Sequence, residues 1–466
     1  MTNPAGQIVC RSTLTSPGNG CVPFNLFGQG SPSPAAVAYV NGTNWVETRV
    51  EDDSAGGNIS GDLFHNWAGP VSGAVGFDWR QVKDSVVSNS FNAAGTGVYF
   101  SGGVSPWTGA YTITEGFAEV GMPLAKDLPL VRSLDIDAAA RYANYSTGVN
   151  ATTWKFGMNW KPVDDLRIRV TRSHDLRAPN PGELFRTGAQ SNGPINDPFN
   201  GNARVQGVLT ISRGNPDLKP EIADTWVVGF VYQPSWLPGF GISLDRYDIG
   251  IQGAIATLSG QQYVNQCFMG ATALCAAVIR NAAGVITTTL TSSFNFTSAG
   301  TVGEDLEVDY RVPAQNWFTW WKGGLTVRGL LGYLERSTTQ AVGAAPVNNA
   351  GNLSADSPRW RGNFSATYDI GKWNLFLQAR YIGSGLWDKT RDATQTNYNA
   401  IPSATYFDTQ LTYHINSWAD VDLNVQNLFD KQPLLVPNNG AYNVTTNSDL
   451  YDQIGRYFRM SIKLRR

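Results

Sequence analysis

Charge is scarce in this chain. Among 466 residues the charged fraction is 15%, and 35 Lys+Arg against 37 Asp+Glu leave a net charge of −2. Soluble domains carry about 25% charged residues, and the near-zero balance excludes a strongly basic, nucleic-acid-seeking chain. Long apolar runs are also missing: no stretch approaches the roughly 18 to 20 residues of a membrane-spanning helix, so a helical membrane protein is excluded. The three histidines, His65, His174 and His414, lie far apart, and the four cysteines follow no CxxC spacing, so no zinc pattern is present. There is no nucleophile elbow, no HExxH and no phosphate-binding loop. Carboxylate pairs such as Asp164/Asp165, Glu304/Asp305 and Asp420/Asp422 stand without a base or nucleophile beside them; neither an enzyme nor a cofactor is expected. The opening Met1 to Gln7 has neither a basic n-region nor an apolar h-region. Either the chain is cytoplasmic or its beginning lies elsewhere.

What the chain has in quantity is apolar and aromatic residues and glycine: 42% hydrophobic, 12% aromatic and 49 glycines. That content excludes disorder and suggests many strands and turns. The dominant signal is alternation with period two, which puts one side-chain class on each face of a strand. Over 404–416, Thr405, Phe407, Thr409, Leu411, Tyr413 and Ile415 face one way, and Tyr406, Asp408, Gln410, Thr412 and His414 the other. The same pattern runs through 419–429, 373–384, 153–160 and the final segment, where Phe458, Met460, Ile462 and Leu464 alternate with Arg459, Ser461, Lys463 and Arg465. Weaker versions near 44–58, 72–82, 110–122, 132–145, 164–174, 220–232, 241–253, 300–312, 323–335 and 358–370 bring the total to about 15 strands. No 3.6-residue stripe of helical length competes.

Connections alternate in length. Short ones include Ile370-Gly371-Lys372, 161–164 and 416–419; long ones include 82–110, 175–219, 254–298, 336–356, 387–403 and 430–455. One rim trimmed and the other built up is the pattern of an outer-membrane barrel, with short periplasmic turns and long extracellular loops. Trp160, Trp360, Trp373, Trp418, Tyr368, Tyr413 and Phe429 fall near strand ends, where interfacial girdles place amphipathic rings. The expected fold is therefore an all-β, antiparallel transmembrane β-barrel. The cysteines sit as two local pairs, Cys10 with Cys21 and Cys267 with Cys275, in loop-like surroundings. Short-range closure favours these two pairings as disulfides, with free thiols or a metal as the other readings. Loop disulfides imply an oxidising compartment.

Five segments carry a family resemblance. Arg172-Ser173-His174-Asp175-Leu176-Arg177-Ala178-Pro179-Asn180-Pro181-Gly182-Glu183-Leu184-Phe185 resembles the strand-to-loop segment of TonB-dependent outer-membrane receptors. Gly214-Asn215-Pro216-Asp217-Leu218-Lys219-Pro220-Glu221 is similar to the turn opening their next strand, and Asn424-Val425-Gln426-Asn427-Leu428-Phe429-Asp430-Lys431 to the segment before their last extracellular loop. The stretches around Cys21 and from Cys267 to Cys275 resemble loops of the large proteobacterial subfamily. The resemblance implies a signal peptide, a TonB-contacting box, a plug domain and a barrel of about 22 strands, none of whose N-terminal parts is recognisable. The expectation is a partial barrel, about 15 of those strands, with 1–43 an extracellular loop carrying a cysteine pair and 44–466 the C-terminal part of the barrel, without a plug.

Function follows as an expectation from the resemblance: energised import across the outer membrane of a Gram-negative bacterium of a scarce ligand such as a siderophore, cobalamin or an oligosaccharide. The implied partners are outer-membrane lipid, the TonB complex through the missing N-terminal part, and the ligand, a metal chelate or oligosaccharide. Arg172, His174 and Arg177 are candidate plug or ligand contacts, because clustered cations hold acidic groups. Trp107, Tyr111, Trp387 and Tyr398 are candidates for stacking on a sugar or aromatic ligand. The other reading is a secreted or surface all-β carbohydrate-binding protein, which also uses aromatics, glycines and loop disulfides.

Overall fold

Each of the alternating segments forms a strand. The computed structural model describes residues 1–89, 102–295, 298–316, 320–340, 345–391, 394, 396–437 and 445–465. In chain order the strands are β1 (Val46–Asn66), β2 (Gly69–Ser88), β3 (Trp107–Leu128), β4 (Val131–Tyr145), β5 (Asn150–Val163), β6 (Leu166–Arg177), β7 (Ala189–Asp197) and β8 (Ala203–Arg213). They continue with β9 (Glu221–Tyr232), β10 (Phe240–Gln252), β11 (Ile255–Thr257), β12 (Val278–Arg280), β13 (Ile286–Asn295), β14 (Ser298–Pro313), β15 (Gly324–Gln340) and β16 (Val347–Asn348). The last are β17 (Trp360–Ile370), β18 (Trp373–Ile382), β19 (Gly385–Leu386), β20 (Ala400–Ile401), β21 (Ala404–Asn416), β22 (Ala419–Gln426) and β23 (Tyr457–Leu464). Among the described residues four short α-helices intervene: α1 (Pro34–Val40), α2 (Pro181–Phe185), α3 (Gly260–Phe268) and α4 (Thr272–Cys275).

One sheet dominates. Its path runs β1-β2-β3-β4-β5-β6-β9-β10-β14-β15-β17-β18-β21-β22-β23, and β16, off this path, pairs with β15. Neighbours on the path are antiparallel throughout, as in the β1–β2, β6–β9, β10–β14 and β22–β23 pairs. The path holds the 15 strands read from the sequence. The number is odd, so β1 and β23 run in the same direction and end at the same rim. Among the described residues each pairs with a single neighbour, which leaves a free edge on either side of the wall. Residues 1–43 contribute no strand to it.

One rim has tight turns and the other has long connections. Two-residue links join β3 to β4, β5 to β6, β17 to β18 and β21 to β22. Gly371 opens the β17–β18 turn at φ 58°, a left-handed first turn position that glycine occupies without steric cost. At the opposite rim stand the segments joining β6 to β9, β10 to β14, β15 to β17, β18 to β21 and β22 to β23.

The two faces of the wall are inverted relative to a soluble protein. On β21, Phe407 is 41% and Leu411 36% exposed, whereas Asp408 and Thr412, facing the other way, are 8% exposed. Across the sheet the register keeps the classes apart. Leu423 sits opposite Met460 and Val421 opposite Ile462 on the outer face, while Asp422 sits opposite Thr412 on the inner one. An outward apolar band around a charged interior is the arrangement that lipid outside and a wide polar lumen inside require.

Aromatic rings mark both borders of that band. Near the short-turn rim, Trp373 packs on Tyr413 with centroids 4.5 Å apart, Phe240 on Tyr310 at 6.3 Å and Trp321 against Tyr368 at 5.6 Å. There Trp160 Nε1 also donates to the Leu130 carbonyl at 3.0 Å. Toward the long-loop rim, Tyr333 packs on Trp360 at 4.5 Å and Phe407 on Phe429 at 5.3 Å. Such girdles sit at the two membrane interfaces of outer-membrane barrels.

Candidate functional site

The inner face is a field of paired charges that the register dictates, since directly opposed residues share a face. Arg141 on β4 donates to Glu115 on β3 at 2.8 Å and covers the Phe117 ring at 5.0 Å. Arg169 on β6 donates through Nε to Asp245 on β10 at 2.8 Å. On β18, Arg380 donates through Nε to Asp408 of β21 at 2.7 Å and through Nη2 to Asp452 at 2.5 Å. It thereby ties the last long connection to the wall. Lys463 reaches Asp422 at 2.8 Å, and His414 meets Asp420 at 2.7 Å. A cavity of about 640 Å³ opens here, lined by Arg169, Asp245, Asp305, Glu307, Arg361 and Arg380 among others. Among the described residues Arg361 forms no ion pair. The cavity's charged side chains stand beside Leu306, Leu330, Leu331, Ile382 and Leu450, so it offers an occupant both charged partners and an apolar wall.

The segment from Arg172 to Phe185 does two separate jobs. Register places Arg172 opposite Trp226 and Phe156, and His174 opposite Trp154 and Asp224. Both therefore lie on the outer face, away from the lumen. Arg172 lies 5.2 Å from the Trp226 ring and donates to Asp224 at 3.0 Å, while His174 Nδ1 meets Asp224 at 3.1 Å. Arg177, of the opposite parity, points inward. It holds Glu221 through Nε at 2.7 Å and Glu183 through Nη1 at 3.0 Å. Glu183 in turn closes a capping box: its carboxylate accepts from the Asn180 amide at 2.8 Å, and the Asn180 side chain accepts from the Glu183 amide at 2.8 Å. The loop leaving β6 is thus clamped to the start of β9, and Leu184 is pressed into a cluster with Tyr111, Ala143, Tyr145 and Leu218.

The aromatic candidates divide as well. Tyr111 belongs to that cluster, its ring centroid 6.2 Å from Tyr145. Trp107 is buried, with its indole packed beside Gly182. Trp387 lies in a second cluster with Leu353, Ile382, Ile401, Ala404, Tyr406, Val436, Leu450 and Tyr451. In that cluster burial pushes the Tyr451 phenol up to about 12, helped by the neighbouring phenols of Tyr406 and Tyr398. Those three candidate rings are buried, and burial of a large ring stabilises a loop. Tyr398 alone of the four is exposed.

The long connections 175–219 and 254–298 fold together. Strands β7, β8, β11, β12 and β13 form a second, five-stranded sheet, in which β8 and β13 pair in parallel. Ile195, Val208, Val264 and Ile286 make its core. Asp197 and Arg280 form a forked pair at 2.5 and 2.8 Å, which holds the Asp197 carboxyl below the usual carboxylate range. Cys267–Cys275 closes the α3–α4 corner of this cap, and Cys10–Cys21 closes the N-terminal segment. Strands of three to eleven residues with Asn, Gly and Thr in them carry little alternation, which is why the pattern passes over them.

Comparison with known proteins accords with this geometry. A family model described as "TonB dependent receptor-like, beta-barrel" matches residues 15–428. No curated protein matches in sequence. Among solved structures, the siderophore receptor PirA from Acinetobacter baumannii shares 15% identity at a TM-score of 0.59, over 90% of this chain and 55% of that one. A ferric enterobactin receptor (PfeA) from Pseudomonas aeruginosa, solved with enterobactin, shares 15% identity at 0.61, over 90% and 54%. The FrpB iron transporter from Neisseria meningitidis shares 14% at 0.54, over 90% and 56%. The chain spans about half the length of these structures.

Proposed function

This chain belongs to the TonB-dependent receptor β-barrel family, and from that premise we propose that it forms the C-terminal part of the wall of an outer-membrane importer. The observation that carries the reading is the inverted wall, with Leu411 and Phe407 outward and Asp408 and Thr412 inward. A secreted carbohydrate-binding sandwich buries its apolar faces and gains nothing from this arrangement. In this reading the tight-turn rim faces the periplasm and the long-loop rim, with its five-stranded cap, faces outside. Residues 1–43 form a further extracellular loop, and the wall occupies 44–466.

Because β1 and β23 run in the same direction, an all-antiparallel closure needs an odd number of further strands between them. A second copy of this chain cannot supply it, since any edge-to-edge match of two equally oriented copies pairs strands in parallel. The strands that close the wall, the plug and the TonB contact are therefore assigned to polypeptide outside these 466 residues, whether of the same protein or of a partner, and the charged lumen is the surface against which a polar plug packs. The neighbours named for siderophores and iron support a metal chelate as the ligand, ahead of cobalamin or an oligosaccharide.

The test is uptake by the host bacterium. Removing this coding segment should abolish proton-gradient-dependent accumulation of radioiron chelates and leave entry of small porin-permeant solutes unchanged. Unaltered uptake of every chelate, of cobalamin and of oligosaccharides contradicts the import role.

A further inference from the structure

A second cavity, of about 540 Å³, lies at the long-loop rim between the segments 349–359 and 383–402, and its lining includes Arg359, Lys389, Ser384, Leu386, Ile401 and Pro402. Among the described residues no carboxylate lines it. Lys389 Nζ donates only to the main-chain carbonyls of Asn348 and Ala350. Arg359 donates through Nη1 to the Glu335 carbonyl at 3.2 Å and, at the long limit of 3.5 Å, to the Tyr333 hydroxyl. Its Nε and Nη2 have no acceptor among the described residues. Two cations thus face one cavity without an ion-pair partner among the described residues, whereas Arg391 nearby pairs with Asp388 at 3.2 Å. Burial and the Arg359 charge both push the Lys389 ammonium down, the strain that a bound anion relieves.

The site is also built. Gly351, at φ 83°, lets the Arg359 side chain lie along its backbone, with the Arg359 Cγ 3.4 Å from where a Cβ would stand. The cavity walls hang on the buried cluster of Leu353, Trp387 and Ile401. They are cross-linked by the Leu386 amide donating to the Gly351 carbonyl at 3.0 Å and the Ser354 amide to the Trp387 carbonyl at 2.8 Å. Donors fixed in this way do not have to be ordered when a ligand arrives.

We propose that Arg359 and Lys389 form an anion-binding site at the long-loop rim for a phosphate or carboxylate borne on a partly apolar molecule, whose body rests on Leu386, Ile401 and Pro402. Guanidinium and ammonium side by side, with a serine hydroxyl and an apolar shelf, suit an oxyanion better than a neutral sugar. The chemistry fits two sources, a glycolipid phosphate of the outer leaflet or a free anionic solute. The assignment does not depend on import.

The experiment uses the receptor isolated from native outer membranes with the chains that accompany it. Reductive methylation of Lys389 is followed by peptide mass spectrometry in chloride, in citrate and in inorganic phosphate at equal ionic strength, and in nanodiscs of phosphatidylcholine with or without lipid A. We expect at least one anionic probe to slow labelling of Lys389 about tenfold, with Lys372 at the opposite rim unaffected. Protection by citrate or phosphate identifies a free solute as the source, and protection only by lipid A identifies the glycolipid. R359Q should abolish the protection and R391Q should leave it. Equal labelling under all conditions in the unmutated protein, or protection that survives R359Q, overturns the proposal.

Discussion

Arg177 and Glu221 face each other across the β6–β9 pair, Nε to Oε2 at 2.7 Å, and the same guanidinium holds Glu183 at the start of the helix that follows. One side chain therefore sets where the loop leaves β6 and where the chain re-enters at β9. R177Q should loosen 178–220 without unfolding the wall. Charge-assisted bonds contribute about 1.5–3 kcal/mol each, and Arg177 is half exposed, so a loss near 1 kcal/mol is expected after solvent screening. Hydrogen exchange should rise at the Leu184 and Asn215 amides and stay unchanged on β18 and β21.

The inverted wall predicts opposite fates for adjacent residues. Leu377 lies outward in the middle of β18, and Gln378, its neighbour, lies inward, donating to Asn363 at 2.8 Å. L377R should destabilise the wall by about 2–4 kcal/mol, the cost of an arginine at the bilayer midplane, and Q378R should be tolerated. Heat-modifiable mobility on gels reads the folded fraction of each.

Trp387 is 3% exposed and holds the loop cluster together. W387A should cost about 3–5 kcal/mol and open the segments 349–359 and 445–456 to protease. Loss of ligand affinity with unchanged protease resistance would instead mark Trp387 as a ligand contact.

Asp197 and Arg280 give the cap a pH dependence. A carboxyl whose folded-state pKa is lowered stabilises the fold above its unfolded pKa and loses that contribution as pH falls through the lowered value. Exchange protection at Thr289 and Leu290 should therefore weaken on acidification below the ordinary carboxylate range. D197N should lower protection at neutral pH and remove most of the acid dependence.

The wall was legible in the sequence because a strand between lipid and water must alternate at every residue, and Phe407 beside Asp408 or Met460 beside Ser461 records that directly. The disulfide pairs were legible from local spacing, and the structure pairs Cys10 with Cys21 and Cys267 with Cys275. The cap was not, because its strands pair across connections far apart in sequence: Thr210 meets Thr289, and neither segment alternates enough to announce itself. Single residues were the least legible. Arg172, His174 and Arg177 look alike in a row, yet parity sends the first two outward and the third inward, and only the register across β5, β6 and β9 assigns the faces. For Tyr111 and Trp387, a place in or beside long loops suggested exposure, but the loops carry their own small cores, and Trp107 is buried too.

The most direct test of the inverted wall is a spin-label scan of residues 405–413 in native outer-membrane vesicles, comparing collision with oxygen, which concentrates in lipid, and with a water-soluble nickel chelate. Oxygen accessibility should peak at Thr405, Phe407, Thr409, Leu411 and Tyr413, and nickel accessibility at Tyr406, Asp408, Gln410 and Thr412, the two in antiphase with period two. Accessibilities in phase, or an oxygen maximum at Asp408 and Thr412, would contradict a wall with its apolar face in lipid.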